Sequence, residues 1–351
     1  MRFPLLLLVV VVLGACNSVV DVRVKGNACT GCLDSNGLCV AGTEAFACGL
    51  NGVACLSCAS GQQCTASGSC VNESGTGGAG GGSAGFGGGT GADAGFDDCS
   101  AAAKLVYVVD QDRTLSSFNP ALLGTSGGPF VDLGRIQCPA QSGAEPFSMA
   151  VDRNATAWIV YDSGELFTVN VNQVPLTCVK TTFARQNGVA KFGMGFVSNS
   201  AGSSDETLFI SGSDLTSSLT TTKFGTLSTT PPYTVTVLGT LTGAPEISGT
   251  GDGKLWAFFP NVTPPKVSEL SKTSGATLGG FTAQTLTGSP RAWAFAFWGG
   301  DFFIFLERDN DLSTNVWKLD GQTGALTNVV PNSGRRIVGA GVSTCAPVEI
   351  N

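Results

Sequence analysis

The stretch Lys104-Leu-Val-Tyr-Val-Val-Asp110 recurs in altered form along the second part of the chain, each time as a short apolar run around an aromatic residue. The copies include Thr156-Ala-Trp-Ile-Val-Tyr-Asp162 and Asp301-Phe-Phe-Ile-Phe-Leu306. The aromatic residues of the five copies are Tyr107, Trp158, Phe209, Trp256 and Phe303. Apolar runs of this kind, separated by Gly, Asn, Asp and Pro, are typical of β-strands. The sequence from Cys99 onwards therefore predicts an all-β domain with a repeat of about fifty residues.

A strand with alternating small residues precedes the aromatic strand of most repeats. The small residues are Ser148 and Ala150, Gly193 and Gly195, Ser248 and Thr250, Ala294 and Ala296, and Gly339 and Gly341. Innermost strands of a β-propeller converge on its axis and need small side chains there, and a repeat of about fifty residues fits one four-stranded blade. The prediction is an all-β fold with a five-bladed β-propeller over residues 98–351. Six blades are the alternative, if residues 211–238 contain an extra blade.

The strand Ile337-Val-Gly-Ala-Gly-Val342 has no aromatic strand after it. It can supply the innermost strand of the blade that begins at Lys104, which closes the ring and removes exposed strand edges. Cys99 and Cys345 would then meet at one face, so we predict a disulfide between them. With the N-terminal cysteines paired among themselves, Cys138 and Cys178 would form the second bridge of the domain.

The turn Asp320-Gly-Gln-Thr-Gly324 resembles the Asp-x-x-Thr-Gly turn of many propeller families, including those of the quinoprotein and NHL types. The resemblance extends over single blades and implies a propeller architecture. The named Trp158 and Trp256 occupy repeat positions, which marks them as blade core rather than as ligand-binding platforms.

Eight cysteines lie close together near the N-terminus, at positions Cys29, Cys32, Cys39, Cys48, Cys55, Cys58, Cys64 and Cys70. A segment this short cannot bury enough apolar surface to fold alone, so we expect residues 29–70 to be a disulfide-rich module. Two Cys-x2-Cys pairs could instead form a zinc site. The second half of the segment resembles small cysteine-rich stalk modules of bacterial cell-surface lipoproteins. Residues 71–97 are glycine-rich and are expected to form a flexible linker.

The first residues predict export. Arg2 and the apolar run Phe3 to Leu13 are typical of a signal peptide over residues 1–15, too short for a permanent membrane helix. Leu13-Gly14-Ala15-Cys16 resembles the bacterial lipobox, which implies that Cys16 receives a lipid (diacylglyceryl and palmitate) and that residues 16–28 form a lipidated segment. Asn17, in place of Asp, favours the outer membrane, with the protein facing the periplasm or the surface. An ordinary secreted protein is the alternative.

Composition excludes several functions. Among 351 residues there is no histidine, only 13% are charged, and the net charge is -7. Histidine is the usual general base and the commonest metal ligand, so both roles lose support. The absence of a basic run argues against a nucleic-acid partner. Thirteen cysteines fit an oxidising compartment.

Candidate ligand-binding residues lie where strands reach one face of the predicted propeller. The residues just before the innermost strands form a ring of mixed charge: Glu145, Lys191, Glu246, Arg291 and Arg336. Turns on the same face carry Asp110, Asp112, Asp162, Asp309 and Asp311. These carboxylates could hold Ca²⁺ or sugar hydroxyls, or they could cap their own turns. We predict no other cofactor and no metal site.

Two functions remain compatible with these residues. The first is a non-catalytic binding or scaffold domain on a membrane-anchored lipoprotein, with an unknown protein or glycan ligand. The second is a carbohydrate-active enzyme, because five-bladed propellers include glycoside hydrolases, which need two facing carboxylates. Glu145 and Glu246 are the candidate pair, and no acidic residue is expected at the axis itself. Nearby Arg and Lys are expected to pair with them and lower their pKa, the wrong direction for a general acid. No catalytic residue is therefore assigned.

Overall fold

The computed structural model describes residues 102–216 and 220–349, Cys99, and parts of the N-terminal module (32–33, 39–40, 43–44, 47–49, 55, 62–65 and 70–72). The predicted signal peptide, Cys16 and nearly all of the glycine-rich segment lie outside the described residues. Two compact units are present, Met1–Gly88 and Gly89–Asn351. Within the described residues, no helix has the length and apolar character needed to cross a membrane.

The N-terminal unit contains short antiparallel strand pairs held by disulfides. The pairs are β1 (Cys32–Leu33) with β2 (Cys39–Val40), β3 (Thr43–Glu44) with β4 (Ala47–Cys48), and β5 (Gln62–Cys64) with β6 (Cys70–Asn72). Cys32 bonds to Cys55 and Cys48 bonds to Cys64. The disulfide-rich character is confirmed, and the alternative of a zinc site built from both Cys-x2-Cys pairs fails because Cys32 and Cys55 are oxidised together. Cys29, Cys39, Cys58 and Cys70 have side chains outside the described part.

The second unit is a propeller of five four-stranded antiparallel sheets, as predicted. The first blade contains β26 (Ile337–Val342), β7 (Val106–Asp110), β8 (Thr114–Phe118) and β9 (Phe130–Arg135); the second contains β10 (Pro146–Val151), β11 (Thr156–Tyr161), β12 (Leu166–Asn170) and β13 (Cys178–Lys180); the third contains β14 (Lys191–Ser198), β15 (Glu206–Ser213), β16 (Thr221–Leu227) and β17 (Val235–Thr242); the fourth contains β18 (Glu246–Gly249), β19 (Leu255–Phe259), β20 (Lys266–Leu270) and β21 (Thr277–Thr282); the fifth contains β22 (Pro290–Trp298), β23 (Asp301–Arg308), β24 (Asn315–Leu319) and β25 (Leu326–Val330). Three short 3₁₀ helices occur at Ala102–Lys104, Pro120–Leu122 and Gln284–Leu286.

The chain closes the ring with its last strand. β26 pairs with β7, so that Gly341 lies opposite Tyr107 and the first blade takes strands from both ends of the domain. Residues 211–238 supply the outer strands of the third blade, which leaves no sixth blade. Cys99 bonds to Cys345 with their Cα atoms 5.8 Å apart, and Cys138 bonds to Cys178. Both bridges match those expected from the strand order.

Neighbouring blades pack through aromatic side chains. Tyr107, Phe209 and Phe303 are at most 5% exposed, which confirms the recurrent aromatic position as core. Phe118 of the first blade contacts Phe303 and Phe305 of the fifth, with ring centroids 5.5 and 5.2 Å away. Since burial of one such side chain contributes about 1.5–3 kcal/mol, these seams are a main source of stability.

Small residues of the innermost strands are set by the backbone of the next blade. A Cβ atom on Gly195 would lie 2.7 Å from the carbonyl oxygen of Ile247, and one on Gly193 would lie 2.5 Å from that of Pro245. Gly339 stands equally close to the backbone of Met149, at 2.9 Å. A larger residue would push adjacent blades apart, which explains the alternation seen in the sequence.

Candidate functional site

Three of the five innermost strands carry an irregularity at their first residues. The pairing of β10, β22 and β26 skips one residue, namely Phe147, Arg291 and Val338 respectively, whereas β14 and β18 pair regularly. A β-bulge leaves the extra residue unpaired and re-aims its side chain. All three skipped residues line one pocket on the face where the innermost strands begin.

This pocket, called the mouth pocket below, has a volume of about 350 Å³. Its lining residues are Gln111, Glu145, Pro146, Phe147, Asp162, Glu246, Pro290, Arg291, Ala292, Trp293, Arg336 and Val338. The volume falls at the low end of the range for small-molecule sites. Four of the five residues of the predicted charged ring therefore come together here.

Lys191, the fifth residue of that ring, lies in a small adjoining crevice with Phe147 and Trp293. Its Nζ atom stands over the Phe147 ring, 5.5 Å from the centroid. The cation is thus held against an aromatic face of the wall that separates the crevice from the mouth pocket.

Glu246 is buried and reaches from the fourth blade across to the second. Its Oε2 atom accepts a hydrogen bond from Ser148 Oγ at 2.8 Å, and its carboxyl also accepts one from the backbone N–H of Met194 in the third blade. The residue is 3% exposed. Burial raises the pKa of Glu246 well above its usual value of 4.5, although both hydrogen bonds act in the opposite direction.

Two expectations about Glu246 are wrong. We expected a cationic partner that lowers its pKa, and we expected no acidic residue at the axis. Gly193 is the physical reason for the difference, because the position of its missing Cβ lies 3.2 Å from the Glu246 carboxyl carbon. The space above this glycine lets the Glu246 side chain turn inwards, away from the arginines of the rim.

Glu145 also lacks the arginine partner that we expected. Its Oε2 atom accepts a hydrogen bond from Gln111 Nε2 at 2.6 Å, and its backbone N–H donates to Asp162. Arg336 instead donates to both carboxylate oxygens of the buried Glu307, and it also donates to Gln111 Oε1 at 3.1 Å. The hydrogen bonds from Glu307 raise the pKa of Arg336 further. Gln111 therefore links an arginine and a glutamate across the rim.

The aspartates of the turns serve local structure. Asp110 accepts from the backbone N–H of Thr114 at 2.8 Å, and Asp311 accepts from that of Arg308 at 2.8 Å. Asp309 is paired with Arg291, and this hydrogen bond lowers the pKa of Asp309. Asp110, Asp112, Asp309 and Asp311 do not line the mouth pocket.

A Ca²⁺ site built from these aspartates finds no support in the part of the chain that the structure describes. No three acidic or thiol side chains there gather in the way that a metal ion requires. The turn-capping alternative accounts for Asp110 and Asp311, while Asp162 accepts from the backbone of Glu145 and contributes to the rim.

Phe147 and Trp293 were not predicted as site residues. Both lie one residue before the first small residue of an innermost strand, as apolar residues do in the other blades, so the pattern alone does not single them out. Their placement depends on the bulges. Trp158 and Trp256, by contrast, pack against Phe196 and Phe302 within the blades, as expected for core residues.

A second buried carboxyl lies at the opposite ends of the innermost strands. Glu206, the first residue of β15, accepts hydrogen bonds from the backbone N–H of Arg153 at 3.0 Å and from Thr344 Oγ1 at 2.9 Å. Burial raises the pKa of Glu206 to about 7, despite these hydrogen bonds. Thr344 precedes Cys345, so Glu206 helps to hold the end of the closing strand.

No protein-family model and no curated protein matches this chain. Solved structures with a similar fold include one from a nidogen/laminin complex (11% identity, TM-score 0.42, covering 68% of this chain and 97% of that chain). Another is a PQQ-bound aldose sugar dehydrogenase from Streptomyces coelicolor (10% identity, TM-score 0.40, 69% and 82%). A third is TolB from Acinetobacter baumannii (12% identity, TM-score 0.39, 65% and 53%). At these identities and scores the similarity extends to the propeller architecture and carries no argument about function.

Proposed function

We propose that this protein is an exported, lipid-anchored lipoprotein whose propeller binds a ligand in the mouth pocket without catalysing its conversion. The Leu13 to Cys16 motif supports the anchor, and disulfides in both units support an oxidising compartment such as the periplasm or cell surface. Asn17 favours the outer membrane.

The mouth pocket is the observation that carries the binding function. Three separate bulges direct Phe147, Arg291 and Val338 into one concave site, although regular strands would serve the ring equally well. Bulges that re-aim side chains are frequent next to functional sites. Glu246 forms a floor under the site, so the pocket is a cup and not a through-channel.

Anchoring is tested by metabolic labelling with a radioactive fatty acid in a bacterial host. The wild-type chain should incorporate the label and fractionate with membranes, and Cys16→Ser should lose both properties. Labelling that persists in the variant, or membrane fractionation that does not change, would refute the anchor.

Binding is tested by thermal unfolding of the full chain with a panel of neutral sugars, uronic acids, amino acids, nucleosides and phosphate esters. A ligand at about 100 times its Kd stabilises by roughly 2.7 kcal/mol, which raises Tm by several degrees in a domain of this size. Phe147→Ala should abolish the rise. Gln173→Ala, a change in an exposed loop at the opposite face, should keep it. If no compound raises Tm, the binding function is wrong.

A glycoside hydrolase is the second candidate, favoured by one observation. Glu246, with its raised pKa, lines the same pocket as Glu145 and Asp162, and a protonated acid beside a second carboxylate is what such chemistry requires. An enzyme of this kind would hydrolyse aryl glycosides, and Glu246→Gln would abolish turnover. Absence of turnover by the wild-type protein would exclude this candidate.

A further inference from the structure

We propose that the mouth pocket binds a single neutral sugar ring, such as the terminal residue of a glycan. This inference rests on the proposed binding function and specifies its ligand. It follows from the charges of the rim, from the mixture of donors and acceptors, and from two aromatic side chains in the wall.

The charges that line the rim are already compensated within the protein. Arg336 is bound by Glu307, and Arg291 is bound by Asp309 with Nε and Oδ1 2.8 Å apart. An anionic ligand would have to compete with these carboxylates for the two arginines.

A cationic ligand is equally disfavoured. Lys191 already occupies the face of Phe147, and the two arginines would repel a second cation. Glu246 does not offset this repulsion, because burial keeps its carboxyl in the neutral form. A ligand without net charge avoids both costs.

The polar groups of the pocket are of both kinds. Gln111 offers an amide, Glu145 and Asp162 offer carboxylate oxygens, and Arg291 retains N–H groups beyond the one that Asp309 accepts. A sugar hydroxyl both donates and accepts hydrogen bonds, so a ring with several hydroxyls can use neighbouring groups of both kinds. Apolar ligands would leave these groups without partners, at a cost in free energy.

Phe147 and Trp293 supply the apolar surface that such a ligand needs. Both line the mouth pocket and the adjoining crevice, so they lie side by side in its wall. One face of a pyranose ring carries mostly C–H groups, and aromatic side chains bury such surface while the hydroxyls stay on the polar side. The volume of about 350 Å³ suits a small ligand of this kind and not an extended chain.

The test compares matched sugars by isothermal titration calorimetry on the full chain. The probes are glucose, galactose, mannose and N-acetylglucosamine, together with glucuronic acid, galacturonic acid and glucosamine. At least one neutral sugar should bind, and it should bind at least tenfold more tightly than the charged sugar of the same configuration.

Two variants locate the binding. Trp293→Ala and Gln111→Ala should each weaken it by at least tenfold. Gln111 lies in an exposed turn, so its replacement leaves the fold intact even if Trp293→Ala does not fold. Gln173→Ala, at the opposite face, should bind as the wild type does.

The outcomes separate this inference from the function on which it rests. If an amino acid, nucleoside, phosphate ester or uronic acid binds in a Gln111-dependent way and neutral sugars do not, the pocket is a ligand site but the sugar inference is wrong. If nothing in either panel binds, both fail. Sugar binding that survives both pocket variants also overturns the inference.

Discussion

The innermost strands end differently at the two faces of the propeller. At the face opposite the mouth pocket, the chain after β26 is fixed by the Cys99–Cys345 disulfide and by the hydrogen bond from Thr344 to Glu206. At the mouth, no disulfide is seen among the described residues, and bulged strands surround a pocket. Covalent closure at one face lets the other face depart from regular pairing. The comparison suggests that stability and binding are assigned to different ends of the same strands.

Loss of the closing disulfide should have the largest effect. In the chain-entropy model, a bridge between residues 246 apart contributes roughly 5 kcal/mol to the free energy of unfolding. Cys99→Ser with Cys345→Ser should therefore lower stability more than Cys138→Ser with Cys178→Ser, whose residues are 40 apart, by about 1.5 kcal/mol. Urea unfolding of both double variants measures this difference. Equal losses would show that the closing bridge has no special role.

Glu206 should make the end opposite the mouth pocket sensitive to pH. Its pKa is raised from 4.5 when unfolded to about 7 when folded, so the folded state binds the proton more tightly. Stability should therefore be highest below pH 4.5 and should fall as pH rises through 7, by about 3 kcal/mol for this group alone. Glu206→Gln should remove this part of the pH dependence in urea unfolding series between pH 4.5 and 8.

Glu165 provides a control of the opposite sign. Burial acts to raise its pKa, but hydrogen bonds from Lys180, the Gln141 backbone and Ser163 outweigh burial and lower it. Its contribution is present above the unfolded pKa of 4.5 and is lost as pH falls. Glu165→Gln should thus leave the decline between pH 5 and 8 unchanged. A Glu206→Gln variant that keeps this decline would contradict the assignment.

At the mouth, replacements of Glu246 should depend on shape more than on charge. Glu246→Ala leaves Ser148 Oγ and the Met194 N–H without their acceptor in a buried place, at a cost of about 2 kcal/mol. Glu246→Gln keeps an acceptor oxygen and the volume of the neutral acid, so it should cost less than about 1 kcal/mol at pH 6. Urea unfolding distinguishes the two. A Gln variant as unstable as the Ala variant would mean that the carboxyl is ionised.

The closed ring could be predicted because its causes are local and periodic. The small residues at 193, 195, 339 and 341 face backbone of the next blade, and the strand without a partner at 337–342 required one in the first blade. The Cys99–Cys345 bridge followed from that topology.

The mouth pocket could be predicted only in part, since its shape depends on changes of one residue in register. A bulge at Phe147 or Arg291 leaves the alternation of the strand almost unaltered, yet it turns side chains towards a different face. The direction of Glu246 depends on the space above Gly193 in another blade, which no local pattern records. Charged residues near the mouth were identified, but their partners were not.

A crystal structure of the full chain with the ligand that raises Tm most tests the central claim most directly. The account predicts a small neutral sugar in the mouth pocket, packed on Trp293 and Phe147 and within hydrogen-bond distance of Gln111. A ligand bound at the opposite face, on the outer strands or between blades, with the mouth pocket empty, would contradict it.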